Sequence, residues 1–570
     1  MDVKERSKKL FEDFWNWRLE DSPEFATIIG EHAFDDKLQS YALESFEKRI
    51  EKVEEFFKET NILLEEGNVD SVTKTNLELF LYDLQVYING MEVKGYVFAI
   101  CNSDGVHLEF ERLLSLMPQK TVKDFENILA RFKALPKQIT ELIQVMQEGI
   151  KMEMTHHEVS MAKVDGQLEA LQVEPDASVF YKPFLSIPKK ISEKEKNDLK
   201  SRALKSLSED VLPSFKKLQE FIKNEYFKHL RKNVAITSVP NGKEFYEACL
   251  DFHLGFRDYN AIHEAGLNEV QRITEKIERV IASLKLKMTV SEFANHIKED
   301  KQFYFNTEKE LIEEYKNIVF KKIKPKLHIL FKTVPTAELC IKPDPPAGTQ
   351  AYYLAGRRND ETPGTFFVDV KNLKSSPKYE MMALALHEAL PGHHLQTSYC
   401  MEQRDWPLFR TQIEDRKYSE VPSRFPLHST YVEGWGLYSE YLGYELGLYE
   451  DLHSRYGRMS FEMVRACRLV VDTGMHILGW SRERAIDFMM ERVACSRDHI
   501  EKEINRYITW PGQACAYKTG EMKILVLRKT AEAELGDKFD IREFHEAVLR
   551  SAGPLYHLEK KIQEFIDKNK

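Results

Sequence analysis

The sequence predicts a mostly α-helical fold with one small β-sheet. Apolar residues recur at helical spacing through roughly the first 330 residues, and charged residues fill the remaining helix faces. Phe215, Leu218 and Ile222, for example, fall on one face of a predicted helix. The pattern changes near residue 335, where prolines and strand-like segments follow. Helical periodicity resumes at Ser376 and continues almost to the C-terminus.

Turn and breaker residues are expected to divide the N-terminal helices. Leu129 and Leu135 share a helix face that we expect to end at Pro136, because proline removes a backbone hydrogen bond of the helix. Asn241-Gly242 is a typical turn signal between two helices. We therefore assign residues 1–334 to an N-terminal helical region.

The β-sheet is predicted between residues 335 and 370. Several prolines between Pro335 and Pro346 rule out a long helix there. The segments AYYLA (351–355) and TFFVDV (365–370) are typical of strands, and the residues between them are typical of a turn, which predicts a β-hairpin or small sheet. These turn residues are Asn359, Asp360, Pro363 and Gly364. Residues 335–570 form a second region, which we expect to join the first in one cleft-forming unit.

The composition excludes several classes of protein. The chain has 570 residues, with 82 Lys and Arg against 92 Asp and Glu, and its formal net charge is −10. This acidic balance argues against a nucleic-acid-binding protein. No stretch approaches the roughly 18 apolar residues of a membrane span, and the N-terminus lacks the apolar core of a secretion signal. Seven scattered cysteines favour a reducing compartment, so we expect a cytoplasmic protein without membrane or nucleic-acid partners.

The most informative segment is the run LHEALPGHHLQ. It resembles the His-Glu-x-x-His pattern of zinc metallopeptidases, in which two histidines four residues apart bind zinc and the glutamate is the general base. The residue four positions after His387 is Pro391, so an unbroken helix would bring no second histidine to the metal. If the proline-glycine pair bulges out of the helix, His393 takes the place of the second ligand. We favour His393 over His394 for this role.

A third ligand is expected downstream, in the segment STYVEGWGLYSE. Glu433 lies there beside two glycines, whose small size allows a neighbouring backbone to approach closely. Two histidines and one carboxylate leave an open position for water on zinc, and Glu388 would take the proton of that water. Glu440 and Asp472 either orient a histidine ligand through its second ring nitrogen or have packing and surface roles.

Four sequence blocks resemble, in this order, the family called domain of unknown function 885. They read HEALPGHHLQ, VEGWGLYSE, DTGMHILGWSRERAI and RYITWPGQACAYKTG, and the resemblance is densest between about residues 350 and 560. Members of that family are similar to helical zinc metallopeptidases of the gluzincin type. The resemblance implies two helical halves around a deep, oligopeptidase-like cleft. It also implies that His387, His393 and Glu433 bind Zn²⁺ and that Glu388 is the base.

The resemblance suggests further residues around the metal. Oligopeptidase-like enzymes place a tyrosine or histidine of a later helix over the zinc, where it donates a hydrogen bond to the oxyanion. Tyr517 is the first candidate for this donor, with Tyr507 and His476 behind it. Tyr507 is also a candidate for substrate binding, and Arg506 or Lys518 would hold a substrate carboxylate.

The sequence thus predicts a zinc-dependent hydrolase of amide bonds, most simply a metallopeptidase acting on short peptides. We expect the strand at 365–370 to pair with an extended peptide, as edge strands do in gluzincins. Three alternatives stay open: a hydrolase of non-peptide amides, a non-haem iron oxygenase with the same ligand set, and a non-catalytic peptide-binding scaffold. Glu388 favours hydrolysis, because an oxygenase needs no such base and a scaffold is expected to have lost it.

Overall fold

The computed structural model describes residues 2–67, 69–344, 350–357, 362–413 and 418–570. Helices make up most of this part of the chain, and the one sheet found in it is small, which confirms the predicted fold class. The chain divides into two compact units. The first comprises Met1–Ala248, Pro407–Pro426 and Ile508–Trp510, and the second comprises Cys249–Trp406, Leu427–Tyr507 and Pro511–Lys570. The deep cleft expected from the resemblance stays a prediction.

The first unit contains thirteen of the helices, the last of which comes from its second segment. Their bounds are α1 (Val3–Asp21), α2 (Pro23–Ile28), α3 (Leu43–Glu66), α4 (Ser71–Glu92), α5 (Val106–Leu116), α6 (Val122–Lys151), α7 (Glu158–Met161), α8 (Val164–Glu169), α9 (Lys182–Leu185), α10 (Glu193–Ser206), α11 (Leu212–Asn224), α12 (Gly242–Leu254, which continues beyond Ala248) and α18 (Leu408–Thr411).

Helix α6 corrects one expectation, since it runs through Pro136 instead of ending there. The capping box of Thr121 and Asp124 stabilises its start. Buried apolar residues continue on both sides of the proline, with Leu135 before it and Ile139 after it, each fully buried. A proline inside a helix costs about 3 kcal/mol. The buried face on both sides of Pro136 offsets that cost, which local sequence rules do not include.

The second unit contains the other twelve helices and the three strands found among the described residues. The helix bounds are α13 (Tyr259–Ser283), α14 (Val290–Glu299), α15 (Glu308–Lys316), α16 (Lys378–Glu388), α17 (His393–Glu402), α19 (Ser429–Glu445), α20 (Leu452–His476), α21 (Arg482–Met490), α22 (Arg497–Thr509), α23 (Ala516–Leu535), α24 (Ile541–Arg550) and α25 (Leu555–Asn569).

The sheet has three strands in the order β1-β3-β2: β1 (Leu339–Asp344), β2 (Ala351–Leu354) and β3 (Gly364–Asp369). The antiparallel pair β2 and β3 is the predicted hairpin, with its bounds shifted by one residue. The first strand, which pairs with β3 in parallel, was not predicted. Of the predicted breaker and turn residues, Pro345, Pro346, Asn359 and Asp360 lie outside the described residues.

Residues 249–334 belong to the second unit, although the sequence pattern groups them with the N-terminal region. Their longest helix, α13, packs along α20. Gly266 makes this approach close, because a Cβ at this position would lie 2.7 Å from the Cβ of Leu469. The sequence-based boundary follows the change from helix to strand, whereas helix packing sets the boundary of the compact unit.

Four helices of the second unit, α16, α19, α20 and α23, pack together, and α19 among them carries the buried Trp435. α16 packs against α19 and α20, and α19 packs against α23. Trp435 of α19 is fully buried, and its indole N–H donates to the backbone oxygen of Pro391, at 2.9 Å. This arrangement brings the segments that carry the predicted metal ligands into the core of one unit.

Candidate metal centre

His387 lies near the C-terminal end of α16, a helix that is buried along most of its length. All residues from Met381 to His387 are buried. A helix that is apolar on every side is stable only inside a protein. The His387 imidazole is 2% exposed. Its two ring nitrogens therefore need partners within the protein.

The helix breaks directly after this segment, where the proline-glycine pair predicts a bulge. α16 and α17 are separated by a short non-helical turn that ends at Gly392, whose ψ is −130°. A Cβ on Gly392 would lie 1.8 Å from the backbone oxygen of His387, so only glycine fits this position. The break brings the ring of His393 to 4.8 Å from that of His387, measured between centroids.

Glu433 is positioned by α19 and by the glycines that follow it. A Cβ on Gly434 would lie 2.4 Å from the Cα of Gly520 in α23, so this glycine admits a neighbouring backbone, as expected. A Cβ on Gly436 would lie 2.8 Å from Nε2 of His387. Gly436 therefore makes room for a histidine side chain and not for a backbone.

The structure brings together the three residues predicted as metal ligands. Oε2 of Glu433 lies 3.5 Å from Nε2 of His387 and 3.4 Å from Nε2 of His393. Among the described residues, these three are the one group of histidine, cysteine and acidic side chains whose donor atoms are close enough to hold a metal ion together. Metal binding by the group stays a prediction.

Glu440 fixes the orientation of the first histidine. Nδ1 of His387 donates to Oε1 of Glu440 at 2.8 Å, and the Glu440 side chain is completely buried. The bond leaves Nε2 of His387 without its proton in the neutral ring and directs it toward Glu433. Asp472, the other residue considered for this role, instead accepts the backbone N–H of Gly512 at 3.1 Å.

The carboxylates near His387 favour a positive charge on its ring. Burial by itself lowers the pKa of His387, but the neighbouring carboxylates Glu433 and Glu440 outweigh it and raise the pKa to about 9. Burial raises the pKa of Glu433, and its histidine neighbours outweigh that effect and hold the pKa well below its usual value. An ionised Glu433 in this site needs a compensating cation or proton.

His394 points away from this group. Its Nε2–H donates to the backbone oxygen of Ala337 at 3.2 Å, and its Nδ1 accepts from the hydroxyl of Tyr353 at 3.1 Å. Burial lowers the pKa of His394 to about 4, so the ring is neutral at physiological pH. Both ring nitrogens are therefore used in packing, in keeping with the preference for His393.

Glu388 ends α16 and directly follows His387. Its side chain is half-buried, and it makes no hydrogen bond or salt bridge with any described residue. A carboxylate that is not committed to another group, next to a metal ligand, is suited to accept a proton.

The ring of Tyr517 is adjacent to that of His387. The two rings stack with centroids 6.4 Å apart and an angle of 23° between their planes. Burial, followed by the charge of Glu433, raises the pKa of Tyr517. The hydroxyl therefore keeps its proton at neutral pH and is able to donate a hydrogen bond.

The two alternatives to Tyr517 are engaged elsewhere. The hydroxyl of Tyr507 donates to Glu503 at 2.6 Å and accepts from Nε of Arg468 at 2.8 Å. Nε2–H of His476 donates to the backbone oxygen of Tyr507 at 3.0 Å. These bonds hold Tyr507 and His476 within the protein and favour Tyr517 as the donor.

The two predicted carboxylate-binding residues differ in their surroundings. Lys518 is completely buried, and its ammonium group contacts Glu269 at 2.8 Å, Glu462 at 2.7 Å and also Glu521. Three carboxylates already surround this positive charge, so the placement argues against substrate binding by Lys518. Helix geometry explains why Lys518 is placed differently from Tyr517, since adjacent residues of α23 point about 100° apart.

Arg506 is half-buried and lies in a polar cluster beside Tyr517. Its Nη1 donates to Oε1 of Gln513 at 2.6 Å, and its Nη2 donates to Glu503 at 3.0 Å. These partners hold the guanidinium in place. Substrate binding by Arg506 stays a prediction.

The expectation that the strand at 365–370 pairs with a peptide is wrong. β3 is the central strand of the sheet, and its backbone is paired with β1 on one side and β2 on the other. A central strand has no row of unpaired backbone groups to offer. The expectation failed because the parallel partner β1 comes from the proline-rich segment, which shows no clear strand pattern.

Sequence reasoning missed Arg465 and Arg468, two arginines of α20 that approach the ring of Tyr517. Their guanidinium carbons lie 5.9 and 4.6 Å from its centroid. The signal for them is an arginine pair three residues apart within the otherwise apolar run MVRACRLVV, where charged side chains are expected to be buried.

Two solved structures are similar to this fold. One is a "putative lipoprotein" from Colwellia psychrerythraea, which is 24% identical, with a TM-score of 0.90 and full coverage of both chains. The other, described in the same words and as of unknown function, is from Shewanella oneidensis. It is 16% identical, with a TM-score of 0.69, and the match covers 99% of this chain and 100% of that one. At these identities the likeness shows the fold alone. No curated protein matches the chain.

These comparisons contradict the prediction of a cytoplasmic protein. Both of these similar structures are described as a "putative lipoprotein", so the prediction is withdrawn. Within the described residues, none of the helices has the length and apolar character needed to span a bilayer.

The family match covers nearly the whole chain. Residues 23–562 match the family model described as bacterial protein of unknown function (DUF885). This range includes every residue of the candidate metal centre. The sequence blocks that carried the resemblance thus led to the correct family, and the chain belongs to DUF885.

Proposed function

We propose that the protein is a zinc-dependent hydrolase of amide bonds, acting on short peptides in the manner of gluzincin-type metallopeptidases. One observation carries the proposal: His387, His393 and Glu433 converge in a partly buried group, and an uncommitted carboxylate, Glu388, directly follows the first of them. Neither an iron oxygenase nor a binding scaffold requires that carboxylate.

The distances within the group fit zinc. Ligand atoms about 2.0–2.2 Å from a tetrahedral zinc ion lie roughly 3.3–3.6 Å from one another. The separations of Glu433 Oε2 from the two Nε2 atoms of His387 and His393 are 3.5 and 3.4 Å. These separations are too long for strong charge-assisted hydrogen bonds, which are about 2.7–2.9 Å.

The donor set supports the same assignment. Oε2 of Glu433 is buried and has no hydrogen-bond partner among the described residues. A buried carboxylate oxygen without a partner is costly unless a cation satisfies it. Two imidazoles and one carboxylate suit zinc and leave a position for water, as in catalytic zinc sites. Glu440, which accepts from His387, supplies the carboxylate that commonly supports a histidine ligand.

The residues of the chain divide the work of hydrolysis. Bound zinc would supply a Lewis acid that polarises the substrate carbonyl and lowers the pKa of water. The Glu388 carboxylate takes a proton from the attacking water and later delivers it to the nitrogen of the leaving amine. The hydroxyl of Tyr517 donates a hydrogen bond to the carbonyl oxygen as negative charge develops on it.

The test is the variant Glu388→Gln, assayed with a mixed pentapeptide library whose products are identified by mass spectrometry. We expect it to bind about one zinc per chain, as the wild type does, and to lose at least about a hundredfold in kcat, because general-base catalysis contributes 10²–10⁴-fold. Glu450→Gln is the matched control, since Glu450 is exposed and makes no hydrogen bond or salt bridge with any described residue.

Two results would overturn the proposal. Full hydrolysis by a zinc-loaded Glu388→Gln variant would exclude this residue as the base. Absence of hydrolysis by the zinc-loaded wild type, on both peptides and N-acyl amides, would exclude the hydrolase.

A further inference from the structure

The three donor groups of Arg468 differ in their hydrogen bonding. The residue is 8% exposed. Its Nε donates to the hydroxyl of Tyr507 at 2.8 Å, and its Nη2 donates to Glu503 at 2.7 Å. Its Nη1 is buried and has no hydrogen-bond partner within the described part of the chain. Leaving such a donor unsatisfied is costly, because the group is charged and has lost its contact with water.

Positive charge exceeds negative charge around this guanidinium. Arg468 and Arg506 share a single carboxylate, Glu503, at 2.7 and 3.0 Å. Burial raises the pKa of Glu503, and the two arginines outweigh it and hold the pKa well below its usual value. Arg465 lies three residues before Arg468 on α20 and makes no salt bridge with any described carboxylate. Two guanidinium groups, those of Arg468 and Arg506, thus share one acidic side chain.

This cluster is adjacent to the candidate metal centre. The ring of Tyr517 neighbours both, with its centroid 4.6 Å from the guanidinium carbon of Arg468 and 6.4 Å from the ring centroid of His387. The sum of these two distances is the upper limit for the distance between the guanidinium carbon of Arg468 and the ring centroid of His387. About three residues of an extended peptide span that length.

We propose that Arg468, with Arg465 beside it, binds a carboxylate of the substrate, namely the C-terminal carboxylate of a peptide that is cut within about three residues of its end. The inference rests on the proposed hydrolase function. A carboxylate satisfies the free Nη1 group and balances the excess charge. Guanidinium is well suited to this role, because its planar donors match the two carboxylate oxygens.

The first test needs no variant. A mixed pentapeptide library with free C-terminal acids is compared with the same library carrying C-terminal amides, using zinc-loaded wild-type protein. We expect kcat/KM to be about 10- to 100-fold higher for the free acids, which is the effect of one charged hydrogen bond. Cleavage is expected within the last three residues. Equal rates for acids and amides, or cleavage distributed along the peptides, would overturn the inference.

A third set of peptides distinguishes two sources of carboxylate. Amidated peptides with glutamate as the last residue carry the charge on a side chain. If they are cleaved no faster than the other amides, the terminal carboxylate is the group that is bound. If they are cleaved as fast as the free acids, the side-chain carboxylate is the group that is bound, and specificity for the terminus is refuted.

The variant Arg468→Gln tests the residue itself. We expect it to lose most of the preference for free acids, measured as the ratio of kcat/KM on the acids to kcat/KM on the amides. Arg528→Gln is the control, because Arg528, like Arg468, bonds to a tyrosine hydroxyl and to acidic side chains, but it lies about 16 Å further along α23 than Tyr517. If Arg468→Gln fails to fold, Arg468→Lys keeps the charge and removes the planar fork. An unchanged preference in either folded variant would refute the assignment.

A binding measurement separates this inference from the hydrolase proposal. Fluorescently labelled pentapeptides, as free acid and as amide, are titrated with the zinc-loaded Glu388→Gln protein. Tighter binding of the free acid supports carboxylate recognition even if the wild type hydrolyses nothing. Hydrolysis by the wild type without any preference in binding or rate would leave the hydrolase proposal standing and overturn the inference.

Discussion

The sharpest prediction concerns Glu440, which supports the first histidine of the proposed metal centre. The change Glu440→Gln keeps the size of the side chain but replaces its charge with a neutral amide. Glu440 is completely buried and accepts from Nδ1 of His387 at 2.8 Å. A hydrogen bond to a charged group contributes about 1.5–3 kcal/mol. Loss of a carboxylate that supports a histidine ligand typically weakens metal binding 10- to 100-fold, or about 1.4–2.7 kcal/mol.

The two magnitudes agree, so we expect zinc affinity to fall by about 10- to 100-fold in Glu440→Gln. The assay is a competition titration of the apo-protein against a chromophoric zinc chelator, with circular dichroism to confirm the fold. Glu450→Gln, the exposed control, should bind zinc like the wild type. Unchanged affinity in a folded Glu440→Gln protein would refute the supporting role of this carboxylate.

Three further predictions follow from individual side chains. Gly392→Ala should lower the free energy of unfolding by about 1–3 kcal/mol in urea titrations, because its Cβ would meet the backbone oxygen of His387, whereas Gly166→Ala, with open space around its Cβ, should not. Tyr517→Phe should lower kcat by about 10²–10³-fold with little change in KM, and an unchanged kcat would exclude it as the oxyanion donor. Burial lowers the pKa of His545 to about 3, against about 6.5 when unfolded, so its stabilising effect is complete above pH 6.5 and is lost as the pH falls. His545→Phe should therefore reduce the pH dependence of the unfolding free energy between pH 6.5 and 5 by about 1.4 kcal/mol per pH unit, and an identical slope would contradict this.

The helix break at the metal centre could be predicted because its causes are local. Proline and glycine restrict or free the backbone at their own positions, so the pair before His393 predicted where α16 ends. The same local rule failed at Pro136, where buried residues on both sides of the proline hold α6 together. The mostly helical class was predictable for a similar reason, since helical periodicity is a property of each segment by itself.

Features that depend on distant segments could not be predicted. The central position of β3 depends on β1, whose residues show no clear strand pattern. Two of the three carboxylates that surround Lys518, Glu269 and Glu462, come from the distant helices α13 and α20, and both partners of Arg468 lie on α22. Residue type and order suggested that Lys518 faces the substrate, whereas tertiary packing buries its charge.

Metal content measured by elemental mass spectrometry tests the central claim most directly. Wild-type protein is expected to contain about one zinc per chain. Single alanine substitutions of His387, His393 and Glu433 should each remove it, and His394→Ala should retain it, because His394 bonds to Tyr353 and to a backbone oxygen instead. Iron in place of zinc, no metal in the wild type after incubation with zinc, or loss of zinc in a folded His394→Ala variant would contradict the proposed centre.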